Sequence, residues 1–125
     1  MTYLRLNAIN NITVNSLDNV NVANNTDTKL GEVTLSAGKW LLIGVCAWDE
    51  NATGTRRLSL QDTDSLGQHR LRSSTCVPVS GVNTTMPPIV EVVIHSAQKT
   101  YYLYGKQNSG GTLTAYPGIT TVKLA

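Results

Sequence analysis

One apolar run, Gly38-Lys39-Trp40-Leu41-Leu42-Ile43-Gly44-Val45-Cys46-Ala47-Trp48, follows Ser36-Ala37 and stops at Asp49-Glu50-Asn51. A bilayer-spanning helix needs roughly 20 apolar residues, so the run is too short to cross a membrane in that form. Its β-branched and aromatic residues around a central glycine indicate a strand. The run predicts a strand buried on both faces, the second against the same core or against a contact between subunits. Such a strand sits in the middle of a layered sheet, which points to a sandwich or barrel.

The remainder of the chain carries the same signal. Thr, Val, Asn, Ser and Gly dominate, and no stretch keeps an apolar i, i+3, i+4, i+7 pattern. Phe is absent, so aromatic packing rests on two Trp and five Tyr. Alternation marks Leu30 to Leu35 and Thr55 to Gln61, the latter with Leu58 and Leu60 inward and Arg57 and Ser59 outward. Gln68 to Val79 holds one or two strands. Met86-Pro87-Pro88 forces an extended entry into Ile89 to His95, where Val90, Val92 and Ile94 share one face. Lys99 to Gln107, Thr112 to Tyr116 and Ile119 to Leu124 follow, separated by Asn108-Ser109-Gly110-Gly111 and Pro117-Gly118. About eight to ten strands with no helix predict an all-β, two-sheet antiparallel jelly-roll sandwich. The Cys, Trp, Cys spacing of immunoglobulin domains is missing, because Trp48 follows Cys46 by two residues.

A chain of 125 residues is one domain of ordinary size. Its first part differs from the rest, with many Asn residues punctuating short apolar pairs such as Val20-Asn21-Val22. Residues 1–25 read as an extended segment, either a stalk that leads into a shaft junction or an edge strand, and residues 26–125 as the main jelly-roll domain. The N-terminus lacks the basic and long apolar regions of a signal peptide. Cys46 and Cys76 are expected to be free thiols.

Only 14% of residues are charged and the net charge is +2, which excludes the clustered basic surface of a nucleic-acid or membrane-binding protein. No nucleophile elbow, zinc-protease helix, Cys-x-x-Cys pair or phosphate loop occurs. His69 and His95 are the only histidines, and a Cys-His pair with His95 is the one trace of catalytic chemistry. The chain therefore reads as a non-enzyme without cofactors. Asp62-Thr63-Asp64-Ser65-Leu66-Gly67 resembles the start of a calcium loop but lacks the later bidentate carboxylate, so a polar turn and no metal are expected.

Saccharide binding needs an apolar ring face beside planar hydrogen-bonding groups. Trp48 followed by Asp49 and Asn51 offers both on one loop, the alternative being a tryptophan that seals the core. Arg56, Arg57, His69, Arg70 and Arg72 gather on two expected neighbouring strands. Trp48, Asp49, Asn51, Arg57, His69 and Arg72 are the candidate ligand residues, with a solvated face or salt bridges as the alternative for the basic group.

Four pieces in order carry a family resemblance: Gly31-Glu32-Val33-Thr34-Leu35-Ser36-Ala37-Gly38-Lys39-Trp40-Leu41-Leu42-Ile43-Gly44, Thr55-Arg56-Arg57-Leu58-Ser59-Leu60, Tyr101-Tyr102-Leu103-Tyr104-Gly105-Lys106-Gln107-Asn108-Ser109-Gly110-Gly111, and Thr120-Thr121-Val122-Lys123-Leu124-Ala125. Over residues 26–125 the chain resembles the C-terminal head domain of bacteriophage tail-fibre and baseplate receptor-binding proteins, itself similar to the complement and tumour-necrosis-factor jelly rolls. The absence of Phe departs from the animal branch. The resemblance implies a homotrimer at the distal end of a virion's tail fibre or baseplate, binding bacterial surface saccharide. In such a trimer Tyr102 and Tyr104, which share a strand face, are expected at the subunit interface together with Val93, with core or ligand contact as alternatives. A structural virion protein without a ligand and a complement-like protein-binding module are the other readings.

Overall fold

The computed structural model describes residues 12–65 and 70–125. Its strands are β1 (Ile12–Ser16), β2 (Val20–Val22), β3 (Thr28–Leu35), β4 (Gly38–Trp48), β5 (Arg56–Gln61), β6 (Arg70–Cys76), β7 (Thr84–Thr85), β8 (Ile89–His95), β9 (Lys99–Gln107) and β10 (Leu113–Lys123). No helix occurs among the described residues. In the six-stranded sheet β10 and β4 pair centrally, β1 and β2 lie along β10, and β8 and β7 lie along β4. The second sheet has the order β3-β9-β5-β6. All pairings are antiparallel, so the protein is the two-sheet sandwich that its strand signals predict.

Period-two alternation fills the space between the sheets. Leu42, Cys46 and Trp48 of β4 and Ile119 of β10 meet Leu58 and Leu60 of β5 and Tyr101 and Leu103 of β9. Trp48 is the largest fully buried side chain. A Cβ at Gly105 would lie 2.8 Å from Leu30 Cδ1 and 3.1 Å from Trp48 Cη2, so this glycine leaves the room the indole occupies. The indole N–H donates to Met86 Sδ at 3.1 Å. Met86 is held in turn by its backbone N–H, which donates to Cys46 O at 3.0 Å.

Burial of both faces of the Gly38–Trp48 run within its own chain's core is corrected. Leu42, Gly44, Cys46 and Trp48 are buried, but Leu41, Ile43 and Ala47 are only half-buried and Val45 is 40% exposed. Among the described residues, no layer covers the outer face of the six-stranded sheet.

The expected boundary near residue 25 also shifts. Ile12–Ser16 and Val20–Val22 are hydrogen-bonded to β10 in register, so residues 12–22 belong to the head's own sheet. Residues 1–11 lie outside the described residues. β1 ends opposite Gly118 and β2 begins opposite Ala115, leaving Pro117 in the gap between two partners. A proline is tolerated in a central strand at such a break because no ladder donor is required there. Cys46 and Cys76 are free thiols, but only Cys46 is buried and Cys76 is half-buried. Burial pushes the Cys46 thiol up to about 12.

Candidate functional site

The loop after β4 is built by hydrogen bonds that use most of its polar groups. Asp49 ends the strand with its N–H donating to Thr114 O, and its carboxylate accepts from the Tyr116 hydroxyl at 2.7 Å. The carboxylate raises the Tyr116 pKa, since a phenol that donates to a negative charge holds its proton. Asn51 Oδ1 accepts from Thr53 N, and Asn51 O accepts from Arg56 Nη2 at 2.8 Å. Trp48 is 0% exposed. A sugar ring has no face of it to stack on, so the Trp48 ligand expectation fails and the core-sealing alternative holds.

The basic group is divided by strand alternation. Arg56 points into the end of the sandwich, where its guanidinium donates to the carbonyls of Thr53, Thr55 and Asn51. Arg57 points to the outer face of the four-stranded sheet and pairs with Asp27, which Arg70 also approaches at 3.7 Å. Arg72 is opposite inward-facing Leu60 and pairs with Glu91 of β8 at 3.0 Å. That pair closes one open edge of the sandwich. Arg57 and Arg72 therefore lie on opposite faces of one sheet and do not form a common site. His69 lies outside the described residues.

The tyrosine row lies where alternation puts it, on the outer face of the four-stranded sheet, but it is not a free apolar surface. The segment after β5 folds over it. Tyr104 is 4% exposed and its hydroxyl donates to Asp64 at 2.6 Å. Lys29 Nζ donates to the same carboxylate at 3.1 Å and sits over the Tyr102 ring. Tyr104 and Asp64 pull apart in pKa: burial first and then the bond to Asp64 hold the Tyr104 phenol up to about 12, and the same bond lowers Asp64. Val93 faces inward and is core. The interface expected at Tyr104 and Val93 is thus corrected, because both are already buried by their own chain.

Asp62 pairs with Lys99, and among the described residues no group of three or more His, Cys, Asp or Glu gathers that could hold a metal.

Two features that sequence reasoning missed are surface features. The outer face of the six-stranded sheet presents Ile12 and Val14 of β1, Val45 of β4, and Val90, Val92 and Ile94 of β8, each 40% exposed or more. Register aligns them across neighbouring strands, with Ile12 opposite Val122, Val122 opposite Leu41, and Leu41 opposite Val92. The alternation of β8 was the available signal. The second feature is a groove of about 470 Å³ between the β1 and β3 edges, lined by Asn15, Glu32, Thr34, Trp40 and Thr121 among others. Trp40 is anchored there by its indole N–H donating to Ser36 O. No single segment contains those residues, so no motif announces the groove.

No protein-family model and no curated protein matches the chain. Solved structures do. A structure of infectious bursal disease virus, Gx strain, superposes on 90% of this chain with TM-score 0.62 at 10% identity, over 32% of the viral chain. The Eiger tumour necrosis factor of S. frugiperda superposes on 91% of this chain and 92% of its own, with TM-score 0.54 at 13% identity. The fold is a jelly roll. The chain spans about a third of the viral chains it matches, 32% of the VP2 subviral-particle protein for instance. At these identities the likeness carries the fold alone.

Proposed function

We propose that this jelly roll is the head of a virion attachment protein, a non-catalytic homotrimer at the tip of a phage tail fibre or baseplate that binds bacterial surface carbohydrate. The observation that carries the reading is the apolar face of the six-stranded sheet, which no described residue covers. Contiguous exposed apolar surface marks an interaction site. Its occupant in this reading is further copies of the chain, since no charged side chain interrupts the rows from Ile12 to Val92, and obligate interfaces exclude charge from their centre. The virus-particle proteins that share the fold agree with a virion role. Three weak saccharide sites on one rigid head gain adhesion through effective concentration.

Sedimentation velocity tests the assembly. A trimer is expected at micromolar concentration, and Val92→Asp should give a folded monomer, since an unpaired carboxylate cannot be buried there. A wild-type monomer would remove the trimer. Binding to whole host cells that is competed by their extracted polysaccharide is expected of the carbohydrate part, and a blank result favours a purely structural virion protein.

A further inference from the structure

A second cleft, of about 210 Å³, opens on the outer face of the four-stranded sheet, at the end where the β5 and β9 loops meet. Three neighbouring strands build it at one level: Arg57 of β5 is opposite Lys106 of β9 on one side and Thr75 of β6 on the other. Asn25, Thr55 and Asn108 complete the rim.

The cleft is rich in donors and positive. All eight carboxylate side chains of the sequence fall in the described residues, and none pairs with Lys106. Lys106 is half-buried and makes no ion pair among the described residues. Arg57 and Arg70 share the single carboxylate of Asp27, so the trio keeps a net positive charge. Arg57 Nε is shielded from solvent and has no acceptor among the described residues. Asn108 turns its Oδ1 to Thr55, accepting from the backbone N–H at 2.6 Å and the hydroxyl at 3.2 Å, which leaves its NH2 group to donate elsewhere. A partly desolvated donor set lacking an acceptor favours an anion.

We propose that this cleft is a subsite for an acidic sugar, in which Lys106 and Arg57 receive the carboxylate of a uronic- or sialic-acid-type residue and Thr75 and Asn108 bind neighbouring hydroxyls. The inference rests on the carbohydrate-attachment reading and adds the class of sugar.

Immobilised glycans carrying uronate or sialate, each beside its neutral counterpart, are the probes for the assembled protein. The acidic glycans should bind at least tenfold more tightly, and less so as salt rises. Lys106→Gln should remove that preference. Because Lys106 makes no ion pair, its variant should melt at the wild-type temperature; Thr75→Val gives an independent, uncharged lesion that should weaken the acidic glycans too. Neutral glycans binding as well as acidic ones, or an acidic preference unmoved by Lys106→Gln, would overturn the subsite while leaving carbohydrate attachment standing. Binding to no glycan of either kind removes both. Acetate or phosphate competing as strongly as the glycan reveals a plain anion hole and overturns the sugar assignment.

Discussion

Arg56 is the residue whose role depends most on where its neighbours fold. It is 0% exposed and faces no carboxylate; its guanidinium instead joins three loop carbonyls, and burial lowers its pKa. Charged hydrogen bonds of this kind rigidify the turn from Asn51 to Thr55. Arg56→Met should lower stability by about 2–4 kcal/mol, because the carbonyls would be left without donors; urea unfolding reads this as a lower midpoint at constant slope. Tyr104 makes a second prediction. A phenol whose folded pKa lies above the unfolded value of about 10 stabilises fully below that pH, and the contribution fades as pH rises towards about 12. Spectrophotometric titration should show a late-ionising tyrosine that disappears in Tyr104→Phe, and the variant should lose the alkaline part of the stability decline between pH 10 and 12.

At the scale of elements, β4 and β8 show how far an apolar pattern can be read. The β4 run is nearly all apolar, and that pattern cannot distinguish a strand covered twice by its own chain from one covered once by its chain and once by a neighbour. β8 resolves the ambiguity: Ile89 and Val93 enter the core while Val90, Val92 and Ile94 face out beside β4. Val45→Asp separates the two states. A fold buried on both faces within one chain would not tolerate the carboxylate, whereas the sandwich described here should fold with Asp at position 45 and fail only to assemble. Circular dichroism and sedimentation together distinguish these outcomes. Alternation also put Arg57 and Ser59 outward on one strand and Tyr102 and Tyr104 on one face of another, and the pairing of β5 with β9 joins these faces. It gave no notice that the Asp62–Ser65 segment would fold over that face, because the bond from Tyr104 to Asp64 joins residues 40 apart in the chain.

For the whole molecule, the closing strand β10 ties the ends of the chain together. It pairs with β1 and β2 on one side and β4 on the other. Val22 is fully buried, and Gln107 donates to Val22 O at 2.8 Å, so β2 is part of the core, while β1 extends the same sheet. A fragment beginning at residue 26 should therefore be much less stable than the full chain, as thermal melting would show; equal stability would return residues 12–22 to the role of a separate shaft. Exposing the β10 edge should also promote aggregation.

The sequence by itself determined the class of fold and the inward sets of most strands, because a pleated strand ties side-chain direction to position parity. It also marked the turns, through Gly, Asn and Pro. Only the tertiary structure decided what those directions meant. Inward became core for Trp48 and Val93, outward became uncovered for Val45 and Val92, and outward became covered for Tyr104. Whether a face is wet, packed or bonded depends on segments distant in the chain that arrive through strand pairing. The cleft of Arg57, Lys106 and Thr75 exists only because three strands come into register.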